Sequence, residues 1–199
     1  MLIDDLVDFQ MSDLTQYMKT RRSSLSLTLE EPGPDSDQLR TILEIATRVP
    51  DHGKLAPWRF ELWPMDVRQK VHDQLQERLY AATDIDDVEK KAQGTAKLLH
   101  APCVLVAIST AAEHPKIPIW EQHLSTGAAC MNTLIAANSL GFEAQWLTAW
   151  YIYRNDCRDI LGLAPDEQIA GIIHIGTNKA PKTDRPRPDI DSLYSIRES

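Results

Sequence analysis

One stretch of the sequence, residues 119–142, constrains the fold more than any other. It reads IWEQHLSTGAACMNTLIAANSLGF and carries no acidic or basic side chain between Leu124 and Leu140. Pro118 before it and Gly141 near its end are typical helix boundaries. Because apolar residues occur all round the predicted helix, it has no evident water-facing side. We predict that it is either the central core helix of a domain or a helix at a subunit interface.

The composition indicates a globular domain and argues against several classes of partner. The 199 residues carry a net charge of −8, which disfavours nucleic acid and anionic membrane surfaces as partners. The apolar runs are too short for a membrane span, and the first residues carry acids where a signal peptide carries bases. Three separated cysteines without a C-x-x-C motif are typical of reduced thiols, so we expect a cytoplasmic protein.

The order of predicted elements favours one sheet flanked by helices. Residues 1–11 are expected to be an N-terminal extension, and residues 12–199 a single domain with an extended, proline-rich C-terminal tail. Buried strands are predicted at residues 103–110 and 169–177, with further strands near residues 58–63 and after Gly141. Few strands and long helices predict an α+β or α/β fold.

Basic residues occur in three groups although the chain is acidic. Guanidinium groups bind phosphate through paired hydrogen bonds, so the groups could converge on one small anionic ligand. A solvated surface is the alternative for each group. A Rossmann or P-loop site is disfavoured, because no matching glycine motif follows a predicted strand. The groups are Arg21 and Arg22; Arg48, His52, Lys54 and Arg59; and Lys179, Lys182, Arg185 and Arg187.

Side chains alone offer little chemistry in this sequence. No G-x-S-x-G motif occurs, and the three cysteines lie in predicted buried elements. His114, Glu121 and His123 do not have the spacing of a closed zinc site. We therefore expect no metal site and no catalytic side chain, and we expect the reactivity to come from a bound cofactor.

Several motifs occur in the order seen in one enzyme family. On these residues the chain resembles the FMN-dependent nitroreductase family, and more closely its short subgroup of NAD(P)H nitroreductases. The resemblance spans residues 12–190. The motifs are Arg21-Arg22-Ser23, Arg48-x-Pro50-Asp51-His52, Pro57-Trp58-Arg59-Phe60, Pro118-x-Trp120-Glu121-Gln122, Gly141-Phe142-x-x-x-Trp146 and Gly176-Thr177.

The resemblance implies a fold, an assembly and an activity. The fold would be a nitroreductase-like α+β fold, with a central, mainly antiparallel sheet packed by helices and the long central helix at the interface of an obligate homodimer. FMN would lie between the subunits. NAD(P)H would pass hydride to flavin N5 and leave, and a nitroaromatic, quinone or related acceptor would follow in a ping-pong scheme. The alternative is a non-catalytic flavin-binding or flavin-handling protein on the same fold.

The resemblance also implies which residues bind the cofactor. The Arg-Arg-Ser motif would contact the flavin phosphate and ring edge, and the motif that begins at Arg48 would lie along the cofactor. A backbone shelf would approach the isoalloxazine from the partner subunit, and a basic pair near the C-terminus would lie close to the phosphate. In that order, the residues are Arg21, Arg22 and Ser23; Arg48 and His52; Trp146, Leu147 and Thr148; and Arg185 and Arg187.

Two positions depart from the family pattern. Leu25 stands where many relatives carry a lysine near the flavin pyrimidine, and Lys54 stands where many carry an asparagine. A cation near flavin N1 and O2 stabilises the anionic reduced flavin, and Arg48 or Lys54 could supply it. If the central helix lies at the interface, a charge at Ala129 or Leu134 is expected to disrupt the dimer and flavin binding together.

Overall fold

The computed structural model describes residues 11–197, so nearly all of the extension predicted at residues 1–11 lies outside the described residues. The chain divides into two compact units. The main unit consists of Ser23–Lys179, and the terminal unit consists of the described residues up to Arg22 together with those from Ala180 onward. Among the described residues, no helix is both long enough and apolar enough to span a membrane.

A four-stranded antiparallel sheet forms the centre of the main unit. Its strands are β1 (Trp58–Leu62), β2 (Cys103–Ser109), β3 (Glu143–Leu147) and β4 (Gln168–Gly176), in the order β1-β2-β4-β3. The central pair, β2 and β4, consists of the two continuous apolar runs of the sequence, which suits strands covered on both faces. The predicted α+β fold with a mainly antiparallel sheet is therefore confirmed.

Five α-helices occur within residues 11–197: α1 (Met11–Thr20), α2 (Ser36–Ala46), α3 (Met65–Ala81), α4 (Val88–Ala96) and α5 (Ile119–Ser139). α2 begins with a capping box, in which the Asp35 carboxylate accepts from the backbone N–H groups of Asp37 and Gln38. α5 begins after Pro118 and ends just before Gly141, which has a φ of 84°. A short 3₁₀ turn lies at Asn155–Cys157.

Helices cover both faces of the sheet. Side chains of α2 and α5, such as Ile42 and Leu134, form one apolar cluster with Leu105 and Ile173. Side chains of α3 form a second cluster with the alternate strand residues, Val104, Val106 and Ile172 among them. The alternation along β2 and β4 thus divides the core into an α5 face and an α3 face.

The long central helix α5 is not covered all round within one chain. Its outward side carries an apolar stripe at helical spacing, and two of its members, Trp120 and Leu124, are 70% and 54% exposed. Ala129 and Leu134, at which a charge was expected to disrupt the dimer and flavin binding together, are 0% and 5% exposed within their own chain, and Leu134 belongs to the apolar cluster that contains Leu105 and Ile173. These two positions are therefore buried within one chain, because every side of the helix is apolar in sequence and only the tertiary packing decides which side faces inward. The stripe consists of Trp120, Leu124, Gly127, Ala128, Met131 and Ile135.

Candidate functional site

Ser23 leads into a short extended segment that lies against β3. Ser24 N donates to Ala144 O at 3.3 Å, and Ser24 Oγ donates to Glu143 Oε2 at 2.9 Å. Two residues later, Ser26 N donates to Gln145 Oε1 at 2.6 Å. The Ser24 hydroxyl and the backbone N–H groups of Ser24 and Ser26 therefore hold this segment to the strand that carries Trp146.

Trp146 lies at the end of β3 and contacts a bulge in β4. Its indole Nε1 donates to Ala170 O at 3.0 Å, and Ala170 is the extra residue where the β2–β4 register shifts. Gly171 lies beneath the ring, and a Cβ at that position would clash with Trp146 Nε1. The glycine therefore lets the indole lie flat on the strand.

Leu147 and Thr148 follow at the end of the same strand and line open space. Thr148 and Trp146 border a cavity of about 260 Å³ whose other walls include His123 and Gly127 of α5. Leu147 and Thr148 also border a second cavity, of about 500 Å³, beneath α4. All three predicted shelf residues are thus adjacent to space that a ligand could occupy.

The loop that carries Arg48 and His52 is conformationally strained. Gly53, Lys54 and Ala56 have positive φ angles of 73°, 57° and 47°. Such angles are costly for residues with a Cβ and persist only where the surroundings enforce them. Asp51 supplies the restraint, since its carboxylate accepts from Leu55 N at 3.1 Å and from Ala56 N at 2.8 Å.

The same loop is fastened to one flank of α5. Ser125 Oγ donates to Pro50 O at 2.7 Å, and Asn132 Nδ2 donates to Arg48 O at 3.1 Å. His52 Nδ1 lies 2.7 Å from Glu121 Oε2, with both side chains substantially exposed. These three contacts position the backbone of Arg48 and the imidazole of His52 relative to the central helix.

The two groups of predicted residues in the main unit flank opposite sides of α5. At about 100° per residue, Glu121, Ser125 and Asn132 share one side of the helix. His123, Thr126 and Gly127, which line the cavity with Trp146 and Thr148, lie on the opposite side. In a single chain, α5 therefore separates Arg48 and His52 from Trp146, Leu147 and Thr148.

The terminal unit brings several of the predicted arginines together. Arg22 Nε donates to Thr183 O at 3.2 Å and lies 3.7 Å from Asp184 Oδ1. Arg187 Nη2 donates to the same Asp184 oxygen at 3.0 Å, and so does the backbone N–H of Arg185 at 2.8 Å. The Arg185 N–H, with the neighbouring guanidinium groups, lowers the pKa of Asp184. Arg21 Nε is buried and has no hydrogen-bond partner among the described residues.

Comparison with known proteins decides the family. The model of the Nitroreductase family matches residues 18–177 of the sequence. The chain belongs to the nitroreductase family. Putative NAD(P)H nitroreductase YdjA of Escherichia coli K12 is 30% identical over 165 residues, 83% of this chain and 88% of that protein. A Putative NAD(P)H nitroreductase of Haemophilus influenzae is 32% identical over 167 residues, which again cover 83% of this chain and 88% of that protein.

Solved structures of other family members share the fold of this nitroreductase-family chain. A nitroreductase-like family protein from Bacillus cereus superposes with a TM-score of 0.80 at 23% identity, covering 98% of this chain and 100% of that one. A nitroreductase with bound FMN from Bacteroides fragilis has a TM-score of 0.71 at 18% identity, covering 94% of this chain and 99% of that one. The resemblance drawn from the motifs is therefore confirmed, as is the nitroreductase-like fold.

The cysteines and histidines of this nitroreductase-family chain, considered above as catalytic or metal-binding groups, have structural surroundings. Burial raises the pKa of the Cys103, Cys130 and Cys157 thiols to about 11, 12 and 11, so all three are protonated at neutral pH. His114 Nδ1 accepts from Lys116 N at 3.2 Å, whereas His123 Nδ1 lies 3.1 Å from Ser109 Oγ. Within residues 11–197, no His, Cys, Asp and Glu side chains form a group that could hold a metal.

Sequence reasoning missed the residues that hold this site in place. Asp51 was noticed only as part of a motif, yet its two hydrogen bonds maintain the strained loop. Ser125 and Asn132 lie in a helix that looks apolar in sequence, yet they fasten the loop to that helix. An Asp followed within five residues by glycine and other turn residues is the signal that could have indicated such a role.

Proposed function

We propose that the chain is an FMN-dependent NAD(P)H oxidoreductase. Hydride would pass from NAD(P)H by way of flavin N5 to a nitroaromatic, quinone or related acceptor in a ping-pong scheme. Membership of the nitroreductase family supports redox chemistry. The names of the relatives support NAD(P)H as the electron donor, and the FMN-bound structure supports FMN as the cofactor.

The observation that carries the proposal is the separation of two residue groups by α5. A helix with its side chains is about 10 Å across, so one ligand cannot contact both flanks of it at once. A second copy of the chain, packed on the apolar stripe of α5, would bring its own Arg48 and His52 towards the first copy's Trp146, Leu147 and Thr148. We therefore propose a homodimer with FMN at the subunit interface.

This arrangement revises the subunit assignment made from the sequence. The shelf was expected to approach the flavin from the partner of the subunit that supplies Ser23. The hydrogen bonds from residues 24 and 26 to β3 support a site in which Ser23 and the shelf come from the same subunit. Arg48 and His52 are then the residues that the partner contributes.

The residues present fit the chemistry of FMN. Arg21, Arg22, Arg185 and Arg187 provide guanidinium groups suited to a phosphate, and the buried Nε of Arg21 would gain a partner. Arg48, or Lys54 on the strained loop, would supply a cation near the flavin pyrimidine in place of the lysine missing at Leu25. When bound, FMN supplies the hydride acceptor. The chain binds it, orients it and admits solvent as the proton source, and no side chain is required as a catalyst.

A spectroscopic experiment tests the proposal. Purified protein, supplied with FMN, should show flavin absorbance that NADH or NADPH bleaches under anaerobic conditions and that an added quinone restores. Arg22→Ala and Arg187→Ala should each weaken FMN binding by at least about tenfold, since each removes a charge-assisted contact to the phosphate. Lys70→Ala, at an exposed position of α3, is the matched control.

The possible outcomes separate the two candidate functions. Protein that acquires no flavin absorbance would overturn both. Flavin that binds but is not reduced by either nicotinamide donor would favour the non-catalytic flavin-handling protein, which the uncharged residue at Leu25 supports. Cytoplasmic location remains part of the proposal, in keeping with three free cysteines in the described chain.

A further inference from the structure

The cavity of about 500 Å³ on the α3 face has one mainly apolar wall and one mainly charged wall. Leu147 and Thr148 border it at the end of β3, and Trp150 and Ile172 add apolar surface. The opposite wall is α4 and the turn after it, which contribute mainly polar and charged side chains. These are Asp87, Lys90, Lys91, Gln93 and Lys97.

The charge of this cavity is predominantly positive. Of its lysines, Lys91 forms an ion pair with Asp86. Lys90 and Lys97 have no carboxylate within 4.0 Å in the part of the chain that the structure describes, and Asp87 is the single acid among the lining residues. Two lysine side chains are therefore available to an anionic group that enters the cavity.

His174 provides a second, independent indication of a ligand. It lines the cavity, is only 2% exposed, and its Nδ1 has no hydrogen-bond partner among residues 11–197. Buried polar atoms without partners are rare in folded proteins and call for an explanation, of which a missing ligand is one. Burial, together with the nearby positive charges of Arg68 and Lys97, lowers the pKa of His174 to about 4.

Arg68 adds to the positive potential behind this wall. It is 3% exposed, and its guanidinium donates to the backbone oxygens of Leu98 at 3.1 Å and Ala101 at 2.7 Å. Within the described residues, no carboxylate lies within 4.0 Å of it, and the more distant Glu31 carboxylate only partly offsets the effect of burial, which lowers the pKa of Arg68. A buried cation without a contact ion pair strengthens the attraction of this region for an anion.

We propose that this cavity binds the electron acceptor, and that Lys90 and Lys97 select single-ring aromatic acceptors that carry an anionic group such as a carboxylate. The inference rests on the proposed function, because Leu147 and Thr148 connect the cavity to the flavin shelf. A volume of about 500 Å³ is in the range of small-molecule sites. The ring packs against Leu147, Trp150 and Ile172, and the anionic group faces α4.

The reaction balances with the reactants already named. An aromatic nitro group, NAD(P)H and one proton give the nitroso group, NAD(P)⁺ and water, a transfer of two electrons. The carboxylate takes no part in the chemistry and serves only for binding. The lysines are therefore expected to act on affinity for the acceptor rather than on hydride transfer.

A matched pair of acceptors tests the selection. With FMN-loaded enzyme, 4-nitrobenzoate and the uncharged 4-nitrobenzamide are compared by kcat/KM. The wild-type enzyme should prefer the benzoate, and Lys97→Met should lower kcat/KM for the benzoate by about tenfold and for the benzamide by a much smaller factor. Lys70→Met, on α3 and outside the cavity, should change neither value. Equal values for both acceptors, unaffected by Lys97→Met, would overturn the proposal.

A second variant tests the cavity without altering its charge. Apart from its chain neighbours and the backbone of its own helix, a Cβ added at Gly94 would meet no heavy atom of the described residues within 4 Å, so a larger side chain can be accommodated there. Gly94→Leu should occupy the cavity and lower kcat/KM for both acceptors. If neither acceptor is affected, the acceptor binds elsewhere and the proposal is wrong.

Two further measurements distinguish failure of this inference from failure of the proposed function. Flavin reduction by NADH, followed without an acceptor, should not change in Lys97→Met; a decrease would show that the lysines bind the donor's phosphates instead. Calorimetric binding of 4-nitrobenzoate does not require turnover. Loss of that binding in Lys97→Met supports the anion site even in protein that reduces nothing, whereas absence of binding to the wild-type protein would overturn the site.

Discussion

The two faces of the sheet are packed with similar apolar residues but differ in their buried polar side chains. On the α5 face, Ser125, Thr126 and Thr133 all donate to backbone oxygens, at 2.7, 3.0 and 2.9 Å. On the α3 face, Arg68 Nε and His174 Nδ1 are buried without partners among the described residues. A cavity adjoins His174, so the α3 face combines unmatched polarity with available space.

This difference indicates that the α5 face serves as scaffold and that the α3 face has a functional role. On the α5 face, Ser125 and Thr126 fasten the loop of residues 50–57 to the central helix, and the satisfied polar groups stabilise one arrangement of the scaffold. Unmatched groups on the α3 face reduce stability unless something binds there, which is more typical of functional regions than of scaffolds. The comparison predicts that polar and charged substitutions will act differently on the two faces.

The largest effect is expected for Ala129→Asp on the α5 face. Ala129 is fully buried within its own chain, so the carboxylate would be removed from solvent. The expected cost is about 3–5 kcal/mol in the free energy of unfolding, enough to unfold much of the protein. Leu124→Asp, on the outward stripe of the same helix, should leave the subunit folded but monomeric and weak in FMN binding.

Urea denaturation followed by circular dichroism, with size-exclusion chromatography, measures both outcomes. Tyr80→Asp replaces an exposed apolar side chain of α3 and serves as the control, with little change expected in either assay. A flavin-loaded monomer of Leu124→Asp would contradict the shared site. A stable Ala129→Asp dimer would contradict the assignment of the two sides of α5.

An intermediate effect is expected on the α3 face from the pH dependence of stability. The pKa of His174 is about 4 in the folded protein, below its ordinary value of 6.5. The unfolded chain therefore binds the proton first as the pH falls, and stability declines between about pH 6.5 and pH 4. At pH 4.5 the loss attributable to this histidine is at most about 2–3 kcal/mol.

Comparison with His174→Leu isolates that contribution from the titrating carboxylates. Urea unfolding at pH 7.5 and pH 4.5 should show a smaller acid-induced loss in the variant than in the wild-type protein. No comparable titration is expected from its sheet neighbours on the α5 face, Ile173 and Ile175, because they carry no ionisable group. An equal acid-induced loss in both proteins would show that His174 is not buried as a neutral group.

The smallest effect is expected for Ser125→Ala on the α5 face. The substitution removes the hydrogen bond to Pro50 O and should cost about 1 kcal/mol in the free energy of unfolding. Because that bond fastens the loop of Arg48 and His52, FMN affinity should decrease as well. Thr41→Ala, which removes an exposed helix hydroxyl bonded to Asp37 O, should alter neither quantity. Unchanged FMN affinity in Ser125→Ala would show that the loop does not need this tether.

Much of the fold could be predicted from local patterns. The apolar runs of β2 and β4 and the boundaries of α5 were evident, because each depends on residues close together in sequence. The order of the motifs also indicated the nitroreductase family, which the comparison with known proteins confirmed.

The orientation of each side of α5 could not be predicted in the same way. Leu124 and Leu134 are equally apolar, yet one is exposed and the other lies against the sheet. Only the packing of α5 on β2, β3 and β4 distinguishes them, since helical periodicity identifies a face only when the opposite face is polar.

The sequence by itself determined the element types, the antiparallel sheet's central strands and the set of residues that resemble an FMN site. The tertiary structure decided how those residues are grouped: Ser23 with the strand of Trp146, and Arg48 and His52 across α5 from them. It also revealed the cavity of Lys97 and the unpartnered His174. The physical reason is that periodicity and capping act over a few residues, whereas burial and partnership depend on segments far apart along the chain.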